Sequence, residues 1–167
     1  IDTTFNGDLD VVAVSSLELS GLHNTNNLIA KKGTISQTIF GGNVAYNNRN
    51  LHIGATAYNM NLSAPLEKRP SLYNQFDFQG KTNFVGGLDY NYVIKNMNFF
   101  GEFSASSSGG KAYCNGLIIA LDPKLTFIAH HRKFDKNFQN LFGNAISENT
   151  LPQNESSLYL GMEAKLL

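Results

Sequence analysis

The sequence predicts an all-β protein: an antiparallel up-and-down sheet of about eight strands closed into a barrel, with one short helical segment near 24–32. Three observations predict this fold class. Apolar residues recur with a period of two in most segments, as in the stretch 83–105, and this period is typical of a half-exposed strand. Helix start and stop signals are nearly absent elsewhere. Turn-forming residues separate the alternating segments.

The elements follow in chain order from these signals. The helical segment has an N-cap candidate in Asn24 or Thr25 and a stop at Gly33. The strand at 50–62 changes its apolar phase near Ala57–Tyr58, which predicts a β-bulge. The predicted strands cover about 7–16, 35–47, 50–62, 82–94, 97–106, 111–121, 125–134 and 156–166.

The connections between the predicted strands alternate in length. Tight turns are predicted at Asn47–Asn50, Lys95–Asn96 and Asp122–Lys124. The remaining connections are longer and polar, and in an up-and-down sheet they all lie at the end opposite the tight turns. This asymmetry is typical of outer-membrane barrels, which have short turns on one side and long loops on the other. The longer connections are 17–34, 63–81, 106–111 and 134–155.

Composition excludes several classes of function. The 167 residues predict a single domain, and their formal net charge of +0 does not fit a nucleic-acid partner, which would require a basic surplus. Only 16% of residues are charged, yet mean hydropathy is −0.20, which suits a sheet with little charge on either face. The longest apolar run, 117–121, excludes a membrane-spanning helix. A start at Ile1 without an apolar leader indicates a mature form or an internal fragment.

The alternation predicts two faces, and the asymmetry of the connections indicates that the apolar face meets lipid and the polar face lines a lumen. Aromatic residues near the tight turns, including Tyr46, indicate an interfacial girdle. The predicted lipid-facing residues are Phe84, Leu88, Tyr90, Tyr92, Phe99, Phe103, Leu125, Phe127, Leu158, Leu160 and Met162. The predicted lumen-lining residues are Gln37, Asn43, Asp89, Asn91, Glu102, His130, Arg132, Glu163 and Lys165.

Two other classes of protein share parts of this pattern. A soluble lipocalin-like barrel that binds an apolar ligand has a similar length, but it requires an apolar interior and usually a Gly-x-Trp, and this chain has no Trp. An outer-membrane hydrolase would use lumenal Glu or His, such as Glu102 with Glu163. Because no nucleophile or third group converges on these two in the sequence, we expect them to form lumenal ion pairs instead. We predict no catalytic residue, no cofactor and no metal site.

Three further features bear on possible sites. Adjacent residues of a strand point to opposite faces, so His130 and His131 are not expected to chelate one metal ion. The aromatic loop segments 73–78 and 138–142 are expected either to fold inward as a constriction or to contact a partner. The sequence leaves this alternative open. The single Cys114 excludes an intramolecular disulfide.

Four blocks of the sequence resemble a family of large outer-membrane β-barrel proteins of Bacteroidota, whose members often carry an N-terminal helix-hairpin-helix region. These blocks are GGNVAYNNRNLHIGATAY (41–58), RPSLYNQFDFQG (69–80), the stretch 99–134 and NAISENTLPQNESSLYLGMEAKL (144–166). The segment GLHNT (21–25) is also similar, although Asn24 replaces the usual basic residue. The resemblance implies that the chain is a segment of a larger barrel, and it supplies no catalytic residues.

The predicted function is therefore that of an integral outer-membrane β-barrel protein of a Gram-negative bacterium. Its role would be structural or conductive: a pore, a transporter body or a subunit of an envelope assembly. The expected partners are outer-membrane lipid and other envelope proteins contacted through the long loops. No nucleic-acid partner is predicted for this segment.

Overall fold

The structure is a computed structural model that describes residues 3–5, 11–17, 22, 24–148 and 151–165. Within these residues the chain forms nine strands and one short helix, so the predicted all-β fold class is confirmed. The elements are β1 (Thr3–Phe5), β2 (Val11–Val14), α1 (Asn26–Ala30), β3 (Gln37–Asn47), β4 (Leu51–Leu66), β5 (Gly80–Ile94), β6 (Met97–Ser106), β7 (Lys111–Asp122), β8 (Leu125–Phe134) and β9 (Glu155–Ala164).

Most predicted boundaries agree with the observed ones. The predictions for β6 and β8 are confirmed to the residue, and those for β3, β5, β7 and β9 differ by a few residues at most. The helix begins after Thr25, whose Oγ1 accepts a hydrogen bond from the Leu28 amide at 3.3 Å. Of the predicted first strand, residues 7–10 lie outside the described part of the chain. The three-residue β1 was not predicted.

The strands β5 to β9 form an antiparallel succession in which each strand pairs with the next in sequence. Their tight turns lie at one end, as predicted. Asn96, in the β5–β6 turn, exchanges hydrogen bonds with Ala120, since its carbonyl accepts from the Ala120 amide and its side chain donates to the Ala120 carbonyl. At the same end, the Lys165 amide donates to the carbonyl of Lys124 in the β7–β8 turn.

The up-and-down antiparallel prediction is wrong at β2. This strand pairs with β4 in parallel, through Val14 and Leu66, and β4 pairs with β3 as well. The reason is that β3 occupies the edge of β4 only as far as Ser63, whose amide donates to the Ser36 carbonyl. Beyond that point β2 takes up the edge, where the Glu67 amide donates to the Val14 carbonyl at 2.8 Å. The structure is therefore a mixed sheet.

The chain divides into two compact units, each with its own buried side chains. The first unit comprises Ile1–Phe40 and Asn59–Asn83. In it the buried apolar side chains come from β2, from the end of β4 and from the 67–79 connection: Ala13, Val14, Met60, Leu62, Ala64, Leu66 and Phe78.

The second unit comprises Gly41–Tyr58 and Phe84–Leu167. Its buried cluster is formed by Ala112, Phe134 and Phe138, with Cys114 and Ala145 packed against it. Phe138 belongs to the long β8–β9 connection, so part of that connection lies against the sheet.

The predicted bulge near Ala57–Tyr58 does not explain the change of apolar phase in β4. The buried residues are even-numbered on both sides of Ala57–Tyr58, since Gly54, Met60, Leu62 and Ala64 are all buried. The chemistry of these even-numbered positions changes instead, from Gly and Thr to Met and Leu. Among the described residues, no helix is long and apolar enough to cross a membrane.

Candidate functional site on the two faces of the sheet

The strand register of the second unit defines two faces of the sheet β5–β9. In an antiparallel sheet, directly paired residues lie on the same face. One row of paired residues is therefore sufficient to define the apolar face: Tyr92, Phe99, Leu117, Ala129 and Leu160. Another row defines the polar face: Asp89, Glu102, Cys114, Arg132 and Ser157.

The apolar face is exposed. Leu160 is 59% exposed, and Leu158 and Met162, its neighbours on the same face of β9, are 65% and 71% exposed. On β5 and β6, the paired Leu88 and Phe103 are exposed by 57% and 44%. A contiguous apolar surface on adjacent strands indicates contact with lipid or with another protein.

Charged side chains are segregated between the two faces. The carboxylates of Asp89, Glu102, Glu155 and Glu163 belong to the polar face. On the apolar face of β5–β9, charged residues occur only at strand ends: Lys111, Lys133 and Asp122. The interior of the apolar face therefore carries no formal charge on these five strands.

Every residue predicted to face lipid lies on the apolar face. Ten of them follow directly from the strand pairings, and Phe84 follows from the alternation along β5. The side chains are not equally exposed, since Phe99, Leu125 and Phe127 are half-buried.

The residues predicted to line a lumen are placed less uniformly. Asp89, Asn91, Glu102, His130, Arg132 and Glu163 lie on the polar face, and Lys165 follows the end of β9. Asn43 donates from Nδ2 to Thr56 Oγ1 at 2.7 Å. Gln37 lies in the first unit, where its Nε2 donates to the Met60 sulfur at 3.0 Å.

A histidine that the sequence prediction missed joins the polar face. His52 Nε2 lies 2.6 Å from Asp89 Oδ2, and His52 Nδ1 lies 2.6 Å from Asn47 Oδ1. Gly54 makes room for this contact, because a Cβ there would lie 2.4 Å from the Asp89 carboxylate. His52 and Asp89 are 37 residues apart in sequence, and only the pairing of β4 with β5 brings them together.

The least exposed ion pair of the polar face joins β8 to β9. Arg132 Nε donates to Glu155 Oε1 at 2.5 Å, and the side chains are 14% and 8% exposed. Glu155 Oε2 also accepts a hydrogen bond from the Glu148 amide at 3.0 Å. The pair therefore fixes the end of the β8–β9 connection to the polar face.

The Glu102 and Glu163 carboxylates are not brought together. Glu102 pairs through Cys114 and Arg132 with Ser157, so Glu163 lies three strands and six residues away. At about 4.8 Å per strand and 3.4 Å per residue, the separation is roughly 25 Å. The Glu102 carboxylate instead accepts a hydrogen bond from Ser104 Oγ at 3.1 Å.

His130 and His131 lie on opposite faces, as strand alternation requires. His130 stacks on Phe100, with ring centroids 6.4 Å apart, on the polar face, whereas His131 contacts Tyr113 on the apolar face. In the described part of the chain, no group of three or more His, Cys, Asp or Glu side chains has a geometry that could hold a metal ion.

Comparison of this chain with protein-family models, with curated proteins and with solved structures finds no match. Its function is therefore inferred from the two faces of the sheet and from the connection that covers part of one of them.

Proposed function

We propose that this chain is part of an integral outer-membrane β-barrel, in which the apolar face of β5–β9 meets acyl chains and the polar face lines the interior. The role is structural or conductive, as the wall of a pore, a transporter or an envelope assembly. The observation that carries the proposal is the segregation of charge, because four carboxylates lie on one face and none lies within the other.

The extent of the apolar face supports this proposal. The alternating stretch of β5 from Phe84 to Ile94 spans ten residue steps, or about 34 Å at 3.4 Å per residue. At a strand tilt of about 40°, this corresponds to a height of about 26 Å, close to the apolar band of about 25 Å in outer-membrane barrels.

The positions of the charged strand ends also fit a bilayer. Lys111 and Lys133 lie on the apolar face beside the longer connections, where lysine stems can lie along lipid while their ammonium groups reach the headgroups. Tyr113 and His131 are in contact at the same end. Aromatic and amphipathic side chains are enriched at this depth in membrane proteins.

The sequence resemblance adds an expected location. It favours the outer membrane of a Gram-negative bacterium, with a larger barrel of which this chain is one segment. The lipocalin-like alternative requires apolar side chains that face inward onto a ligand, and the exposed apolar face does not favour it. No observation favours the hydrolase alternative, and the proposal includes no catalytic step.

A pair of neighbouring substitutions tests the proposal. Leu160 and Tyr159 are adjacent on β9, are 59% and 60% exposed, and lie on the apolar and polar faces. In the complete barrel that contains this chain, we expect Leu160→Arg to destabilise folding into phospholipid vesicles by about 2–4 kcal/mol if the position is near the midplane, whereas Tyr159→Arg has little effect. Protease-resistant, vesicle-bound protein measures the folded fraction.

This pair separates a lipid-facing surface from a water-facing one. In a water-soluble protein both positions are exposed equally, and Arg is tolerated equally at both. Equal tolerance, or a wild-type chain that folds fully in buffer without lipid or detergent, contradicts the proposal. A severe effect of Tyr159→Arg alone means that the facing is inverted.

A further inference from the structure

The long β8–β9 connection, residues 135–154, begins with a hydrophobic anchor on the polar face. Phe138 is 2% exposed and packs with Ala112 and Phe134. Beside this anchor, two hydrogen bonds join Asn137 to Ser108 of the β6–β7 connection. Ser108 Oγ donates to the Asn137 carbonyl at 2.6 Å, and Asn137 Nδ2 donates to the Ser108 carbonyl at 3.1 Å.

The middle of the connection reaches far from its own strands. Tyr58, on β4, donates from its hydroxyl to Asn140 Oδ1 at 2.7 Å, and its ring meets Phe142 edge-on with centroids 5.8 Å apart. In the hydrogen-bonded order of the sheet, β5, β6 and β7 lie between β4 and β8. The connection therefore crosses over three strands to make this contact.

The end of the connection is also fixed. Gln153 Nε2 donates to the Phe138 carbonyl at 2.8 Å, so the segment closes on its own anchor. The Glu155 carboxylate accepts a hydrogen bond from the Glu148 amide and also forms the ion pair with Arg132. A cavity of about 90 Å³ remains beneath the segment, lined in part by Glu102, Cys114, Phe138 and Asn140.

We propose that the described part of the β8–β9 connection, residues 135–148 and 151–154, forms a built-in constriction that covers the polar face and limits the size of solutes that reach it. The contacts with Tyr58, Ala112 and Phe134 hold the segment over the sheet rather than presenting it to an external partner. This inference rests on the proposed function, in which the polar face lines a lumen. The Glu102 carboxylate, which lines the pocket between the segment and the sheet, makes small neutral or cationic solutes the class that this passage suits.

The single cysteine of the chain serves as a reporter. Cys114 lies on the polar face, half-buried beneath the segment, and lines the cavity. In detergent-solubilised wild-type protein, we expect a small methanethiosulfonate reagent to modify Cys114 much faster than a polyethylene-glycol maleimide does. Phe138→Ala removes the anchor and should accelerate the bulky reagent by roughly tenfold or more, because the segment then opens more often. Tyr58→Phe, which removes only one hydrogen bond, should give a smaller increase.

Ile146→Ala is the matched control, because Ile146 is in the same segment but is 73% exposed. It should leave both rates unchanged, and circular dichroism checks that each variant keeps its sheet. Rapid modification of wild-type Cys114 by the bulky reagent overturns the constriction. So does a bulky-reagent rate that stays at the wild-type value in folded Phe138→Ala and Tyr58→Phe. The rates do not require insertion into a bilayer, so this failure is distinguishable from failure of the membrane proposal in the Leu160 and Tyr159 test.

Discussion

At the scale of single residues, the sheet depends on close approach at particular glycines. Gly116 on β7 is paired with Phe100, and a Cβ at Gly116 would lie 2.1 Å from the Phe100 ring. The same ring stacks on His130. Phe100 therefore covers the backbone of Gly116, and this packing leaves no room for a side chain there.

We expect Gly116→Ala to lower the free energy of unfolding by about 1–3 kcal/mol, because the added methyl group must displace the Phe100 ring from its stack with His130. Gly42→Ala is the control, since a Cβ at Gly42 meets nothing within 4 Å. Urea unfolding of both variants in the same detergent measures the difference. Equal stability of the two variants would show that Phe100 moves aside at no cost.

Side-chain pairs formed across strands were the part of the site that sequence reasoning could not supply. Alternation assigned Asp89 to the polar face, but nothing in the sequence joined it to His52. Their contact depends on the register of β4 against β5, and the connection between these strands, 67–79, is too long to fix that register. The same holds for Tyr58 and Asn140, which are 82 residues apart.

At the scale of elements, local sequence signals were sufficient to predict strand boundaries where the preceding connection was short. The boundaries of β6 and β8 follow from the two-residue turn before each strand and from the alternation that resumes after it. The end of β4 did not follow, because Pro65 argues against a strand. Pro65 is tolerated because the Ser63 amide donates to Ser36, just before β3, and the Glu67 amide donates to Val14 of β2, so Pro65 lies in the gap between them, where no donor is needed.

The β5–β6 turn predicts a stabilising substitution. Lys95 has φ of +54°, in the left-handed region that costs a residue with a side chain about 1 kcal/mol relative to glycine. We therefore expect Lys95→Gly to raise the free energy of unfolding by up to about 1 kcal/mol. Lys124→Gly, in the β7–β8 turn where the backbone has no positive φ, should give no gain. Parallel denaturant curves test this, and an equal effect of both changes would contradict the conformational explanation.

The ion pair between β8 and β9 predicts a larger loss. Replacing Glu155 by Gln leaves the Arg132 guanidinium, which is 14% exposed, without its carboxylate, and we expect a destabilisation of about 3–5 kcal/mol. Asp77→Asn is a suitable control: it breaks the Lys68–Asp77 pair, whose side chains are 30% and 24% exposed, and should cost less than about 1 kcal/mol. We expect added salt to change the destabilisation caused by Asp77→Asn more than that caused by Glu155→Gln, because dissolved ions screen the more exposed pair better. Unfolding at low and high salt measures both effects.

At the scale of the whole molecule, the separation of the two faces is the property that links sequence to function. Alternation in the sequence predicted which side chains share a face, since a period of two needs no knowledge of strand partners. It did not predict the parallel β2–β4 pairing, which joins segments more than 50 residues apart through a single pair, Val14 and Leu66. The medium that each face meets is a property of the assembled sheet and its surroundings, so it has to be tested on the folded protein.

The height of the apolar face gives such a test. A surface about 25 Å high matches a thin bilayer, and a mismatch costs a fraction of a kcal/mol per Å. We expect the folded, protease-resistant fraction to be highest in phosphatidylcholine vesicles with short acyl chains and to fall steadily as the chains lengthen. Leu160→Arg should lower the yield in every lipid, whereas Tyr159→Arg should follow the wild-type dependence, because only Leu160 lies on the apolar face. A yield that is independent of acyl-chain length would mean that the apolar face meets a partner other than the hydrocarbon core of a membrane.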